Sequence, residues 1–279
     1  LKYKKDKIVK GIVRLKSFVK YNIDYIPCGI IILTFMMQIA LLLIPLFWTI
    51  AGAVLLIPLQ LSLVACGHNH SHCAFFKSKN LSTCIECILY FQTGISPHGW
   101  FLHHVLGHHE HYLDQELDTS RWQKTDGSTM TRLYYTVKTT LMIYPEIVRV
   151  GRLHPKELNR FIKMLILCNC ILLVLLLLEP LKTLIVFIVP MLLILLLHVE
   201  VTYDHHAGLP TDNALEASNN NVSKTYNLLS WNLGFHTAHH MRPGLHWSKL
   251  PHFHNTIANQ IPSINVFEHL PFKSYFQRP

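Results

Sequence analysis

Four long apolar runs constrain this 279-residue chain more than any other feature. The first extends from Ile26 to Ile44 and stops at Pro45, and a second follows from Leu46 to Cys66. A third and a fourth run from Phe161 to Leu178 and from Thr183 to Val199, parted only by Glu179, Pro180, Leu181 and Lys182. Each is close to the roughly 20 residues that cross about 30 Å of hydrocarbon. The surface helix of a soluble protein keeps a polar face, and these runs have none: all eight residues from Ile171 to Leu178 are aliphatic. With 50% hydrophobic and only 15% charged residues, the composition also departs from an ordinary soluble domain. The chain therefore reads as a single all-α integral-membrane domain over residues 1–279, with four transmembrane helices in two hairpins. The spans are about 26–44, 46–66, 161–178 and 183–199, and residues 1–25, 67–160 and 200–279 lie on one side. Lys163, the one charge in these runs, sits where its side chain reaches the headgroups. The first run is too long for a removable signal peptide and a second span follows it at once.

Parity sets the sidedness. Two spans precede residues 67–160 and four precede residues 200–279, so both segments emerge on the side of the N-terminus. That N-terminus carries Lys2, Lys4, Lys5, Lys7, Lys10, Arg14, Lys16 and Lys20, whereas the opposite turns offer Lys182. The positive-inside rule then places termini and extramembrane segments in the cytoplasm. The net charge of +9 is largely accounted for in this way, and it signals no nucleic acid partner. The same basic surface suits anionic headgroups or an acidic electron carrier. The seven cysteines give no disulfide framework, and Cys84-Ile85-Glu86-Cys87 has no second pair at zinc-finger spacing. Leu81 to Trp100 is too polar to span and apolar enough to lie in the interface.

Twenty histidines are the second constraint, and most of them fall into four clusters that border the apolar runs. His68 and His72 lie one helical turn apart just beyond the second run, and His104 and His108 repeat that spacing with His109 adjacent. His205 and His206 lie beyond the fourth run, and His236, His239 and His240 give steps of three and four. Neutral imidazole is the commonest metal ligand, so nine of these can meet around metal: His68, His72, His104, His108, His109, His206, His236, His239 and His240. That is too many for one zinc and points to two ions. His98, His154, His252, His254 and His269 read as surface or hydrogen-bonded residues. Asp204, Glu110, Asp114, Glu116, Asp118 and His205 are candidates to orient the imidazoles from outside. His109-Glu110-His111-Tyr112-Leu113 lacks the second histidine of a zinc-protease helix, and the spans hold too few polar groups for a metal transporter.

With these clusters the chain resembles the integral-membrane di-iron fatty acid desaturases and hydroxylases, whose signature is three histidine boxes and an isolated histidine. The boxes are His68-x-x-x-His72, His104-x-x-x-His108-His109 and His236-x-x-His239-His240, and the third continues through Arg242-Pro243 and Trp247 to Leu250-Pro251. The likeness spans roughly residues 25 to 255. The second box, with three residues before its histidine pair, and His206 ahead of Ala207-Gly208 look more like the membrane alkane hydroxylases; His206 is chosen over His205 on that match.

The resemblance implies a cytosolic helical cap holding a histidine-ligated di-iron site, with two iron ions as cofactor and O2 as co-substrate. It implies oxidation of a lipid acyl chain, with fatty acid desaturation preferred. Hydroxylation, ketone formation or terminal-alkene formation on the same site is the alternative, and a membrane metal carrier is the reading from another class. The sequence shows no flavin, haem or iron–sulfur motif, so the partners implied are a lipid or fatty acyl substrate and an external electron donor: ferredoxin, rubredoxin or a cytochrome with its reductase. Tyr226, Trp231 and Trp247 are candidates to line an acyl channel. The short loops favour a bacterial inner membrane.

Overall fold

The computed structural model describes residues 17–268. Its long helices are α1 (Tyr25–Leu41), α2 (Leu46–His72), α3 (Lys79–Thr93), α4 (Arg132–Leu153), α5 (Pro155–Leu178) and α6 (Pro180–His206), the last containing a π-helical stretch at Leu184–Ile188. A second π-helix, Phe101–His109, lies between α3 and α4. Short helices α7 (Lys224–Leu229), α8 (His236–Met241) and α9 (Leu250–Ile257) complete the cap. A two-residue parallel pair joins β1 (Asn220–Asn221) to β2 (Val266–Phe267).

Four helices are long and apolar enough to cross a membrane, as the sequence requires, and α1, α2, α5 and α6 are those helices. Leu173, Leu177, Leu178 and Leu192 are exposed on them, as side chains that face lipid should be. The boundaries differ from the apolar runs in both directions. α1 ends at Leu41, where the chain turns before Pro45, while α2 runs on to His72 and α6 to His206. α5 starts at Pro155, where the fixed φ of proline suits a first helical position. Hydrophobicity marks where lipid ends, whereas a helix continues as long as its backbone hydrogen bonds do. The overhangs carry the first box and His206 beyond the lipid.

The segment expected in the interface is instead drawn into the bundle. α3 packs against all four spans, and Leu89, Tyr90, Phe91, Gln92 and Thr93 at its end are buried. A helix ending inside a bilayer leaves carbonyls that no water can reach, so side chains must satisfy them. The polar residues of the spans do this. Gln38 donates through Nε2 to the carbonyls of Phe91 at 3.3 Å and Val186 at 3.1 Å, the latter within the π-helical stretch of α6. Gln60 donates to the carbonyl of Gln92 at 3.1 Å, and Gln92 donates to that of Ile31 at 2.8 Å. Gly94 then reverses the chain at φ +73°, where an added Cβ would lie 2.3 Å from the carbonyl oxygen of Met191. Only glycine fits that close approach.

α4 lies along α6 and the second π-helix and presents two faces. Tyr135, Thr139, Ile143 and Ile147 point inward, while Leu133, Val137 and Leu141 are exposed. The tail of the third box is tied to the start of the first span: His246 Nε2 lies 2.8 Å from Asp24 Oδ1, and Trp247 Nε1 donates to the same oxygen at 3.0 Å.

Candidate metal centre

Four separate segments bring histidine to one place. α2 contributes His68 and His72 from its last turns, the second π-helix contributes His104, His108 and His109, α6 contributes His206, and α8 contributes His236, His239 and His240. Spacing predicts the pairs on α2 and α8, where four residues make about one α-helical turn. The second box departs from it. A π-helix bonds i to i+5 and widens the turn, which brings His104 beneath His109 rather than His108. Their Nε2 atoms are 3.0 Å apart, and His108 faces the other way.

Two groups result. In the first, one ligand atom from each of His68, His72, His104, His109 and His239 lies within 4.8 Å of all the others. Its shortest Nε2–Nε2 separations are 2.7 Å for His68 to His104 and 2.8 Å for His109 to His239. The second group is His108, His206 and His240 by the same measure, and His236 adjoins it. His236 Nε2 is 3.0 Å from His206 Nε2 and 3.2 Å from His240 Nε2, which are themselves 3.0 Å apart. All nine histidines singled out from the sequence are therefore brought together.

This donor set fits metal. Three imidazole nitrogens at the corners of a triangle cannot all be paired by linear N–H···N bonds, whereas one cation accepts a lone pair from each. Desolvation, followed by the neighbouring imidazoles, holds His104, His109, His236, His239 and His240 well below the ordinary histidine range, so they are neutral and able to ligate. An all-imidazole set suits iron, zinc, copper or nickel better than calcium or magnesium.

The outer partners only partly match the expected ones. Asp118 accepts from His108 Nδ1 at 2.8 Å with both side chains buried, which turns Nε2 inward. His206 Nδ1 donates to the carbonyl of Ala217 at 2.7 Å, while His205 is directed elsewhere and lies 3.9 Å from His236, ring centroid to centroid. Among the described residues, Asp204 has its ion pair with an arginine rather than an imidazole. It pairs with Arg132, which also reaches Glu200 at 2.5 Å, because two helical steps from His206 turn it to the opposite side of α6. Glu110, Asp114 and Glu116 are exposed where the chain leaves the π-helix, and Asp114 caps the backbone N–H of Glu116 at 2.9 Å. Neither Arg121 nor Arg242 takes up these acids; Arg242 stacks over Phe253.

Sequence reasoning missed Thr119. Its hydroxyl donates to the carbonyl of His103 at 2.7 Å, and its side chain fills the space where a Cβ on Gly107 would stand, 2.4 Å away. Asp118 and Thr119 together clamp the π-helix, and nothing in their spacing from the box marks them for it. Of the histidines read as surface or hydrogen-bonded, His98 and His254 are buried: His98 Nε2 is hydrogen-bonded to Glu157 Oε2 at 2.6 Å, and His254 packs on Phe235. His252 is exposed, as expected, and His269 lies outside the described residues.

A narrow cavity of about 80 Å³ runs from the imidazoles down between the π-helix, α4 and α6. It is lined by His68, His104, His108, His206 and His236 of the two groups, by the aromatic residues Trp100, Trp122, Tyr135 and Tyr203, and by Ile95, Ile143, Ile147 and Leu195. Tyr226, Trp231 and Trp247 do not line it; Trp231 and Trp247 pack on each other, 5.4 Å between centroids, and Trp231 bonds to Ser62.

No curated protein and no solved structure matches the chain. The model of the fatty acid desaturase family matches residues 41–271, and the chain belongs to that family.

Proposed function

We propose that this protein is a membrane-bound di-iron oxidoreductase that uses dioxygen to oxidise a fatty acyl chain, with desaturation as its reaction. The observation that carries this is that imidazoles of both groups line one largely apolar cavity together with Ile95, Ile147 and Leu195. Membership of the family implies an oxidoreductase acting on fatty acyl chains.

His68, His72, His104, His109 and His239 would hold one iron, and His108, His206, His236 and His240 the other. Bound iron supplies reductive activation of dioxygen, strong enough to take hydrogen from an unactivated methylene. The protein contributes positioning and dryness. Asp118 and the Ala217 carbonyl fix the tautomers of His108 and His206. Trp100, edge-on to His68, His104 and His198, and the inner face of α4 keep water from the upper cavity. An acyl tail threaded toward Ile143 and Leu195 would present an interior carbon to the imidazole end.

An external electron donor, access from the cytoplasmic side and a bacterial inner membrane belong to the same proposal. The test is iron stoichiometry on the detergent-purified protein together with lipid profiling of cells that express it. Two irons per chain and a new unsaturated acyl species support desaturation. Two irons with an oxygenated or chain-shortened product move the reaction to the alternative, and one zinc per chain with unchanged lipids overturns the reading.

A further inference from the structure

A second, larger cavity lies on the far side of the segment that walls the acyl slot. Its volume is about 440 Å³, and it opens where α2, α3 and α5 end on the side of the imidazoles. Four cations from three separate segments border it: Lys20 ahead of α1, Lys77 just before α3 and Lys79 at its first position, and Arg160 early in α5. Lys20 and Lys77 are held together by the chain, since the backbone N–H of Lys20 donates to Phe75 and that of Lys77 to Phe18.

The acids of the same cavity are already engaged. Glu86 accepts from the backbone of His98 at 2.9 Å and pairs with Arg160 at 3.4 Å, and Glu157 is bonded to the His98 ring. Among the described residues, Lys20, Lys77 and Lys79 make no ion pair and leave their charge turned to the opening. At the inner wall, His70 is 3% exposed, and its Nε2 is buried with no hydrogen-bond partner. Ser82 stands beside it in the first turn of α3, whose N-terminal dipole end favours negative charge. His70 Nδ1 accepts from the backbone N–H of Phe75 at 3.1 Å, which leaves Nε2 as the ring's free donor. Cations without an ion pair, a helix N-terminus and that buried Nε2 around one void are the chemistry that binds a phosphate oxyanion.

The height of the cavity decides the source. Two positions from its cations are exposed apolar side chains: Phe18 near Lys20, Leu81 near Lys79 and Ile162 near Arg160. The opening therefore sits where hydrocarbon gives way to headgroups. We propose that this cavity binds the phosphate of a phospholipid headgroup from the adjoining leaflet. The site is separate from the acyl slot, which lies across the wall of Ser96 to Phe101: Ser96, Pro97, His98 and Phe101 face the headgroup cavity, and Gly99 and Trp100 face the slot. Because that wall leads directly into the second π-helix, a bound headgroup braces the segment that carries the second box.

The test is a melting-temperature titration of the full chain in neutral detergent micelles. The additives are phosphatidylglycerol, diacylglycerol with the same acyl chains, and inorganic phosphate at constant ionic strength. Phosphatidylglycerol raises the melting temperature, and diacylglycerol does not. Lys77→Ala/Lys79→Ala, two exposed positions that leave the fold intact, requires about thirtyfold more phosphatidylglycerol for half the effect. Lys124→Ala, exposed elsewhere, behaves as the unaltered chain. Equal response to the two lipids, or an unshifted titration in the double variant, overturns the site. If inorganic phosphate matches phosphatidylglycerol at equal concentration, the lipid assignment falls. None of these readings depends on iron or turnover, so they stand or fall apart from the proposed reaction.

Discussion

The two imidazole groups are built differently. The first takes five histidines, four of them from the two helices that carry the first and second boxes, and it depends on the π-helical turn that puts His104 and His109 on one side. The second draws on three segments, and two of its members are aimed by partners outside the group, His108 by Asp118 and His206 by Ala217. The register of the π-helix decides which of its imidazoles enter the first group, whereas in the second, which like the first draws on three segments, His108 and His206 are aimed by acceptors at their far nitrogens. A ligand set can be pre-organised by backbone register or by hydrogen bonds, and this protein uses one for each.

Removing one imidazole from each group is the most severe way to break the comparison. His239→Ala and His108→Ala abolish turnover and lower bound iron, as read by metal analysis and product formation; near-normal activity in either removes that histidine from the ligand set. Gly107→Ala attacks the register instead. Its Cβ would stand 2.4 Å from Thr119, so the π-helix must shift, with a stability loss of about 1–3 kcal/mol by denaturant melts and loss of iron from both groups. An unchanged iron content would show that register is not what allocates His108 and His109.

Asp118→Asn sharpens the difference, since it removes the charge behind His108 and leaves the first group intact. Metal affinity of the second group falls about 10–100-fold with little change in the first, measured by sequential chelation. An effect spread equally over both groups would erase the distinction. Acid acts in the same direction on both. Burial, then the neighbouring His108, holds His103 down to about 3 against an ordinary 6.5, so below pH 6.5 the unfolded chain binds a proton that the folded chain refuses. The stability of the metal-free protein is complete above that pH and falls as pH drops toward 3; a melting temperature constant from pH 7 to 4 would contradict this. The smallest effect is at exposed His252, where His252→Ala leaves iron and turnover unchanged and stability within about 0.5 kcal/mol.

Much of the architecture was legible because membrane and metal each impose a simple rule. Long unbroken apolar runs must be helices, and histidines four apart on a helix share a face, so the pairs His68 with His72 and His236 with His240 followed from spacing. The π-helix did not, because a 4.4-residue turn has no composition of its own. Asp118 could be suspected as one acid among several, but Glu110, Asp114 and Asp204 looked equally suitable, and only the path of the chain after His109 separates them. The re-entrant α3 was misjudged because Glu86, Gln92 and His98 looked too polar for the bundle. Their partners on Ile31, Gln60, Glu157 and Arg160 lie 32 to 74 positions away.

The sequence by itself determined the four spans, their common side and the nine histidines, since hydrophobic length and helical period act locally along the chain. The tertiary structure alone decided the division into two groups, the choice of Asp118 and Ala217 as outer partners, the burial of α3 and the cavity walled by α4. Those depend on which distant segments meet, and the cost of an unsatisfied polar group in a membrane favours arrangements such as the one in which Gln38, Gln60 and Gln92 reach carbonyls of other segments.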